Sequence, residues 1–208
     1  MTVGSDINGL VVYGSGTPGA VVFSWSKGTS IYVDSATGDI WGLINNVVTR
    51  LSKGLSAYRQ IKMKAADESR TTNTVLSDDN TLLFAIGAND VWGGRCFLDV
   101  SAGLSTTGLK ITIAAPSGAS GNIHAGLTTN ATSGKEVDVQ ATNTLGTALD
   151  FTAASLAPSA TLGHLELIFR VANGANAGNI SVQWAQSTSS GTALTMGAGS
   201  QMTADRIS

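Results

Sequence analysis

Apolar and polar residues alternate along several short runs in the C-terminal two thirds of the chain. Alternation of this kind places every second side chain on one face and is typical of a β-strand with one buried face. The runs are Leu82–Ile86, Cys96–Val100, Leu109–Ile113, Leu165–Val171, Ile180–Trp184 and Leu194–Met196. Stretches rich in Gly, Ser, Asn and Ala separate these runs. The pattern predicts a mainly β protein whose residues 66–208 form an antiparallel β-sandwich rather than βαβ units.

Residues 1–38 carry shorter runs of the same kind. Leu10–Tyr13 is apolar, Val21–Trp25 alternates, and Ile31–Val33 returns after a Lys-Gly turn. Segments that contain Gly and Ser separate the three runs. We therefore expect a small N-terminal β-meander of three strands.

The period changes between residues 39 and 65. Asp39 is a good helix N-cap, and the apolar residues that follow it recur at intervals of three and four, which predicts a connecting helix. The same stretch also fits a heptad seam, interrupted at Gly54. The seam residues are Ile40, Ile44, Val47, Leu51, Tyr58 and Ile61. Two interpretations stay open, a helix packed on its own domain and a short trimeric stalk. Half of the twelve Lys and Arg residues lie between positions 50 and 70, which is typical of a solvated helix face.

Composition narrows the class of protein. Only 12% of the 208 residues are charged and the formal net charge is −2, so we expect no nucleic-acid partner. Apolar runs fall short of the roughly 20 residues that a membrane helix needs, which predicts no membrane insertion. The first residues lack the pattern of a secretory signal, so we expect assembly in a cytoplasm. One cysteine, Cys96, excludes a disulfide framework within the chain.

The residues that most often carry chemistry form no recognisable constellation. His124 and His164 have no histidine or cysteine three or four residues away, and we interpret both as surface strand residues. Cys96 lies in a strand pattern and is expected to be a core residue. Asp78 and Asp79 are adjacent, so on an extended chain they point to opposite sides and are interpreted as turn formers. We therefore predict no catalytic residues, no metal ligands, no cofactor and no enzyme activity.

An alternative of a different class is a glycan-binding module. It needs exposed aromatic side chains beside polar groups. Trp92 next to Asp90, and Trp184 next to Gln183 and Gln186, are the candidates, and both tryptophans are better interpreted as core residues.

Two segments resemble a domain at the C-terminal side of tailed-bacteriophage virion structural proteins. The first is TVLSDDNTLLFAIGANDVWGGRCFLDV, residues 74–100, and the second is GNISVQWAQSTSSGTALTMGAGSQMTADRI, residues 178–207. The residues that carry the resemblance are Asp78-Asp79, Ala88-Asn89, Gln183-Trp184-Ala185-Gln186 and Gly199-Ser200. A shorter segment, SWSKGTSIYVDSATGDIW, is similar to phage fibre and spike modules.

The resemblance implies a jelly-roll head of the tumour-necrosis-factor and C1q shape class that forms a homotrimer. It also implies a structural component of a virion, assembled in the bacterial cytoplasm, such as a spike, a short fibre or a capsid decoration. Residues 1–38 would anchor it to other virion proteins of the capsid, neck or tail. A host cell-surface glycan or protein would be a further partner, through loops such as Ser117–Asn122 and Asn173–Asn179. The alternative within this class is a cement protein that stabilises the shell without touching a host.

Overall fold

In the computed structural model of this chain, the described residues are 10–14, 30–34, 39–44, 47–52, 58–101, 103–131, 134–155 and 162–208. The chain divides into two compact units, Met1–Arg59 and Gln60–Ser208. Each unit is described separately. Strands dominate the described residues, which confirms the prediction of a mainly β protein.

The N-terminal unit contains a four-stranded sheet. Its strands are β1 (Leu10–Gly14), β2 (Ser30–Asp34), β3 (Ile40–Ile44) and β4 (Val47–Ser52), in the order β1-β2-β3-β4. The predicted strands around residues 10–13 and 31–33 are confirmed. Strands β1 and β2 pair in parallel, so this part of the sheet is not a simple meander. The predicted strand at residues 21–25 lies outside the described residues.

The predicted helix over residues 39–65 is wrong. Strands β3 and β4 pair antiparallel, with Ile44 opposite Val47, and residues 59–63 form a further strand. Two short strands separated by a two-residue Asn-Asn segment repeat apolar residues at intervals of four, three and four, as a helix does. The β-branched run at Val47, Val48 and Thr49 favours the strand.

The six seam residues therefore do not form a helical stripe. They are spread over three strands and the residue that precedes the third: Ile40 and Ile44 on β3, Val47 and Leu51 on β4, Tyr58 before the strand that begins at Arg59, and Ile61 on that strand. The stalk geometry is thereby excluded for the described residues of this stretch, while self-association remains a prediction.

The described residues from Arg59 to Ser208 form twelve further strands. They are β5 (Arg59–Met63), β6 (Glu68–Arg70), β7 (Ser77–Ile86), β8 (Val91–Ser101), β9 (Leu109–Ala114), β10 (Ser120–Ala131), β11 (Gly134–Thr142), β12 (Leu149–Phe151), β13 (Leu162–Ala172), β14 (Gly178–Gln186), β15 (Leu194–Met196) and β16 (Gln201–Arg206). One short helix, α1 (Leu104–Thr107), and a 3-10 turn, Ala153–Ser155, join them. Among the described residues, no helix has the length and apolar character needed to cross a membrane.

Strands β7 to β14 wind into a jelly roll. One sheet has the order β12-β9-β14-β7, and the other contains β11-β10-β13-β8. Eight consecutive strands divided in this way form the two Greek keys of a jelly roll. Strands β15, β6, β16 and β5 extend the second sheet beyond β8, giving eight strands in all. The predicted antiparallel β-sandwich is confirmed, and in the structure its larger sheet also includes β5, which precedes residue 66.

The core lies between the two sheets. Strand β13 shows the pattern most clearly, because its residues alternate between exposed and buried from Leu162 to Val171. Fully buried members from both sheets include Leu98, Ile111 and Trp184. Cys96 is buried among them as predicted, and burial raises the pKa of its thiol, with a further contribution from the negative charge of Asp79. Cys96 is therefore a packing residue and a poor nucleophile.

Candidate functional site

A buried ion pair joins the chain just after β5 to the start of β7. The Lys64 Nζ atom donates to both carboxylate oxygens of Asp79, at 3.0 and 2.8 Å. It also donates to Glu68 Oε2 at 2.9 Å and to Asn80 Oδ1 at 3.2 Å. The exposed fractions of Lys64 and Asp79 are 2% and 0%. An ammonium group removed from water in this way is tolerated only because oxygen acceptors surround it.

The Asp79 carboxylate is held from several sides. Besides Lys64, it accepts hydrogen bonds from the backbone N–H groups of Thr81 and Leu82, each at 2.9 Å, and from Trp184 Nε1 at 3.1 Å. Burial acts to raise the pKa of Asp79, but the hydrogen bonds from Lys64, Leu82 and Thr81 and the Lys64 charge outweigh burial and lower the pKa. Asp79 is thus an anion that anchors β7, and Trp184 of β14 is fixed to it.

Arg70 closes the same cluster on the other side of Trp184. Its guanidinium carbon lies 3.9 Å from the centroid of the Trp184 ring, a cation–π arrangement. Its Nη2 atom donates to Glu68 Oε1 at 2.7 Å, and its Nη1 atom donates to Ser77 Oγ at 2.8 Å and to the Trp184 carbonyl. Lys64 and Arg70, expected on a solvated helix face, are instead buried or half-buried parts of the sandwich.

Gln186 is the second buried polar anchor of the resemblance motif. Its Oε1 atom accepts from the backbone N–H groups of Asn73 and Ser190, and its Nε2 atom donates to the carbonyls of Arg70, Ser190 and Thr192 at 3.3, 3.2 and 2.8 Å. One side chain therefore ties β14 to two connecting segments.

Asp78, unlike Asp79, faces away from the core. It accepts hydrogen bonds from Ser181 Oγ at 2.6 Å and from Gln183 Nε2 at 2.9 Å, both across the β7–β14 pair. The expectation that the two adjacent carboxylates point to opposite sides is confirmed. The interpretation as turn formers is wrong, since both residues lie within β7.

Two further motif residues, Ser200 and Asn89, also act on the backbone. Ser200 Oγ accepts from the Asp99 N–H at 3.0 Å, and Asn89 has a φ of 60° in the connection between β7 and β8. Gly adopts this left-handed conformation routinely, and among residues with a side chain Asn is one of those that tolerate it best. Asn89 N–H donates to the Gly174 carbonyl at 2.8 Å, which links this turn to the connection between β13 and β14.

The loops predicted to contact partners meet at this end of the sandwich. Asn176 Nδ2 donates to the Ser117 carbonyl at 2.9 Å, and Asn173 Nδ2 donates to the Gly87 carbonyl at 2.7 Å. Asp90 lies beside them, accepts from the Gly87 N–H, and pairs with Arg206 at 2.5 Å. The loops are therefore mutually braced, and their contact with a partner stays a prediction.

The two tryptophans considered for glycan binding are buried, as expected. Trp92 packs against Phe84 with ring centroids 5.1 Å apart, and Trp184 lies inside the ionic cluster. Neither ring offers a platform to a sugar. Among the described residues, no three histidine, cysteine or acidic side chains come together as a metal site.

The outer face of the eight-stranded sheet in the C-terminal unit combines a groove with exposed apolar side chains. A groove of about 560 Å³ runs over β8, β13, β10 and β11. Its exposed apolar side chains are Phe97, Val137, Val139 and Ile168, with exposed fractions of 43%, 65%, 70% and 52%. Both histidines lie in the groove, and His164 Nδ1 is 2.6 Å from Asp99 Oδ1. The prediction that both histidines are exposed strand residues is confirmed.

Gly126 forms the floor of this groove. It lies opposite Val139 on one side and Glu166 on the other. A Cβ atom added at Gly126 would meet only the Val139 Cγ2 atom, at 4.0 Å. The hollow therefore exists because the residue at its centre has no side chain.

On β11, valine side chains face outward and a glutamine faces inward. Val137 and Val139 face outward, while Gln140 faces the four-stranded sheet and exchanges hydrogen bonds with the backbone of Asp150, at 2.7 and 2.9 Å. A shift of one residue in register would turn the valines inward. The Gln140 amide holds the register that exposes them. Sequence alternation alone does not reveal this, because it identifies two faces without saying which one is inside.

Among the predicted seam residues whose side-chain exposure the structure describes, Tyr58 and Ile61 are exposed. They lie on opposite sides of the boundary between the two units. Ile44 and Val47 pair across β3 and β4, but none of the six seam residues lines the groove. The groove is made of residues that the sequence analysis did not assign to any site, apart from the histidines.

No family model and no curated protein matches this chain. Among solved structures, it has a weak likeness to a chain in the structure of infectious bursal disease virus Gx strain, with a TM-score of 0.19, 11% identity, and coverage of 81% of this chain and 43% of that chain. For the Gt strain of the same virus the TM-score is 0.16, with 13% identity and coverage of 79% and 44%. This chain spans less than half the length of either. Similarity of this size assigns neither a fold nor a function.

Proposed function

We propose that this chain is a non-catalytic structural protein on the surface of a tailed-phage virion, built as a homotrimer and acting as a spike, short fibre or decoration. The N-terminal unit attaches to other virion proteins and the jelly roll faces outward. The resemblance of residues 74–100 and 178–207 to phage virion proteins supplies the class of protein.

The observation that carries the proposal is the use of the motif residues. Asp79, Trp184, Gln186, Ser200 and Asn89 each fix the backbone or bury a charge, through the contacts described above. We expect the motif residues of a virion structural protein to stabilise the fold in this way, because such a protein must withstand mechanical load. In an enzyme, the shared residues would instead be expected to converge on a cleft.

Immunogold electron microscopy tests the proposal. An antibody raised against the purified chain should label intact particles of the phage that encodes it. Particles from a phage in which the gene is deleted are the matched control and should remain unlabelled. Unlabelled wild-type particles, with the chain recovered free in the lysate, would contradict a virion location.

The deletion phage also separates the spike from the cement protein. A spike or fibre that contacts the host predicts lower adsorption with unchanged heat resistance of the particle. A cement protein predicts the reverse, lower heat resistance with unchanged adsorption. A host glycan or protein becomes the partner to identify only in the first case.

A further inference from the structure

The two sheets of the jelly roll present different outer faces. On β9 and β14, the side chains that face away from the core are polar and little exposed: Lys110 and Gln183 are half-buried, and Thr112 and Ser181 are buried. On β8, β13 and β11, the corresponding positions include Phe97, Ile168, Val137 and Val139. Scattered apolar residues are ordinary on a protein surface, but a contiguous patch around a groove marks an interaction site.

The position of strand β11 makes the apolar patch prone to association with other chains. The strand lies at the edge of its sheet, and an exposed edge with apolar side chains invites pairing with other chains. Proteins usually protect such an edge with charges or cover it. Here the Gln140–Asp150 hydrogen bonds hold the valines outward, which is costly for a monomer and useful when another surface covers them.

Charge distribution favours a second copy of this chain as the covering surface. The outward positions of β8 and β13 carry two guanidinium groups, Arg95 and Arg170, and two carboxylates, Asp99 and Glu166. These two positive and two negative charges cancel, so this part of the face meets its own copy without net repulsion. A strongly acidic or basic partner would gain little here. Arg95, which lies 5.3 Å from the Phe97 ring centroid, and Phe97 belong to the residue types enriched at interfaces.

We propose that the outer face of the eight-stranded sheet, over β8, β13, β10 and β11, is the surface through which copies of this chain assemble. Apolar side chains of one copy enter the groove above Gly126 of the next and cover Val137 and Val139. The inference rests on the homotrimer of the proposed function and names the surface that forms it. It replaces the helical seam, because the seam residues do not form a helical stripe.

Light scattering of the purified full chain tests this surface. The wild type should have a mass near three times 21.1 kDa. V139E introduces a charge into the interface and should raise the dissociation constant by about tenfold or more. V75E is the matched control, because Val75 is 73% exposed, comparable with Val139, but lies in the connection between β6 and β7. V75E should assemble as the wild type does.

A second variant guards against a folding defect. G126V fills the floor of the groove with a β-branched side chain, which suits a strand, and the added Cβ has room within one chain. We expect its assembly to be weakened while the thermal midpoint measured at monomeric concentration is unchanged or raised.

The outcomes separate this inference from the proposed function. If V139E and G126V both remain trimeric, the surface is overturned and the trimer stands. A wild type that is monomeric at every concentration overturns the surface together with the trimer. Immunogold labelling then decides independently whether the chain is a virion protein. Dissociation of V139E and G126V, but not of V75E, supports the surface.

Discussion

The ionic cluster around Lys64 and the outer face of the eight-stranded sheet both depart from the usual distribution, in which charged side chains lie on the surface and apolar side chains lie in the core. The cluster buries charge, and the face exposes valine, isoleucine and phenylalanine. In the cluster, each buried charge has partners from the same chain. On the face, the apolar side chains have no cover among the described residues of the C-terminal unit. The contrast indicates that the cluster serves folding of one chain and the face serves contact between chains.

If this division holds, mutations in the cluster change the free energy of unfolding and leave assembly of the folded chain intact. Mutations on the face do the reverse. The predictions below test each side, from the largest expected effect on folding to the smallest.

Substituting Lys64 should have the largest effect. K64A leaves the Asp79 carboxylate buried without its cation, and breaking one partner of a buried pair costs about 3–5 kcal/mol. Urea unfolding followed by tryptophan fluorescence measures the loss. Lys110, half-buried on the outward side of β9, provides the control, and K110A should lower stability by less than about 1 kcal/mol. Equal losses for the two variants would contradict a special role for the Lys64 pair.

Acid should weaken the cluster through Asp79. Its pKa in the folded chain is lowered below the ordinary value of 3.8, so the folded state holds this proton less tightly than the unfolded state does. The stabilisation is therefore fully present above pH 3.8 and is lost as the pH falls through the folded pKa. Urea unfolding across this range should show a smaller acid-dependent loss for D79N than for the wild type, although D79N is less stable at neutral pH. Parallel pH profiles would show that Asp79 does not carry the effect.

Much of the jelly roll is predictable from sequence because its strands bury one face. Strands β7, β8, β9, β13, β14 and β15 follow the alternating runs, since the apolar residues that recur at every second position in those runs point into the core. The failure at residues 39–65 has a physical origin. Spacing of four, three and four arises from two paired strands that are two residues apart in sequence as well as from a helix, and spacing alone does not distinguish them.

The candidate sites are less predictable, because both depend on distant pairings. Nothing local indicates that Lys64 is buried, since its main partner lies fifteen residues away on another sheet. The outward valines of β11 depend on the bonds of Gln140 to Asp150, ten residues further along the chain. Asp79 and Trp184 both belong to the resemblance motif, but the sequence did not show that they are joined by a hydrogen bond, which is 3.1 Å long in the structure.

Substituting Asn89 should have an intermediate effect on folding. Asn89 lies in the connection between β7 and β8, at the end of β7 opposite the cluster. Its φ of 60° strains a residue that lacks the local hydrogen bonding of Asn, so N89A should lose about 1 kcal/mol. N89G relieves the strain and should stay within about 0.5 kcal/mol of the wild type. Urea unfolding of the two variants measures the difference. A loss for N89G as large as that for N89A would assign the effect to the Asn side chain rather than to the backbone.

Substituting Ile168 should have the smallest effect on folding. It tests most directly whether the outer face serves assembly between chains rather than folding of one chain. Ile168 lies on the outward side of β13, opposite His124 and Arg95, at the centre of the face. I168T keeps a β-branched side chain, so the strand keeps its preference, and a half-exposed substitution of this kind should change the unfolding free energy of one chain by less than about 0.5 kcal/mol. Threonine replaces apolar contact area with a hydroxyl that the neighbouring copy must desolvate. Assembly measured by light scattering should therefore weaken, while urea unfolding below the assembly concentration stays as in the wild type. K64A, measured under conditions where it is folded, should show the opposite pair of results. If I168T instead lowers the stability of the single chain and leaves assembly unchanged, the outer face is part of the folding core, and the division between the two regions fails.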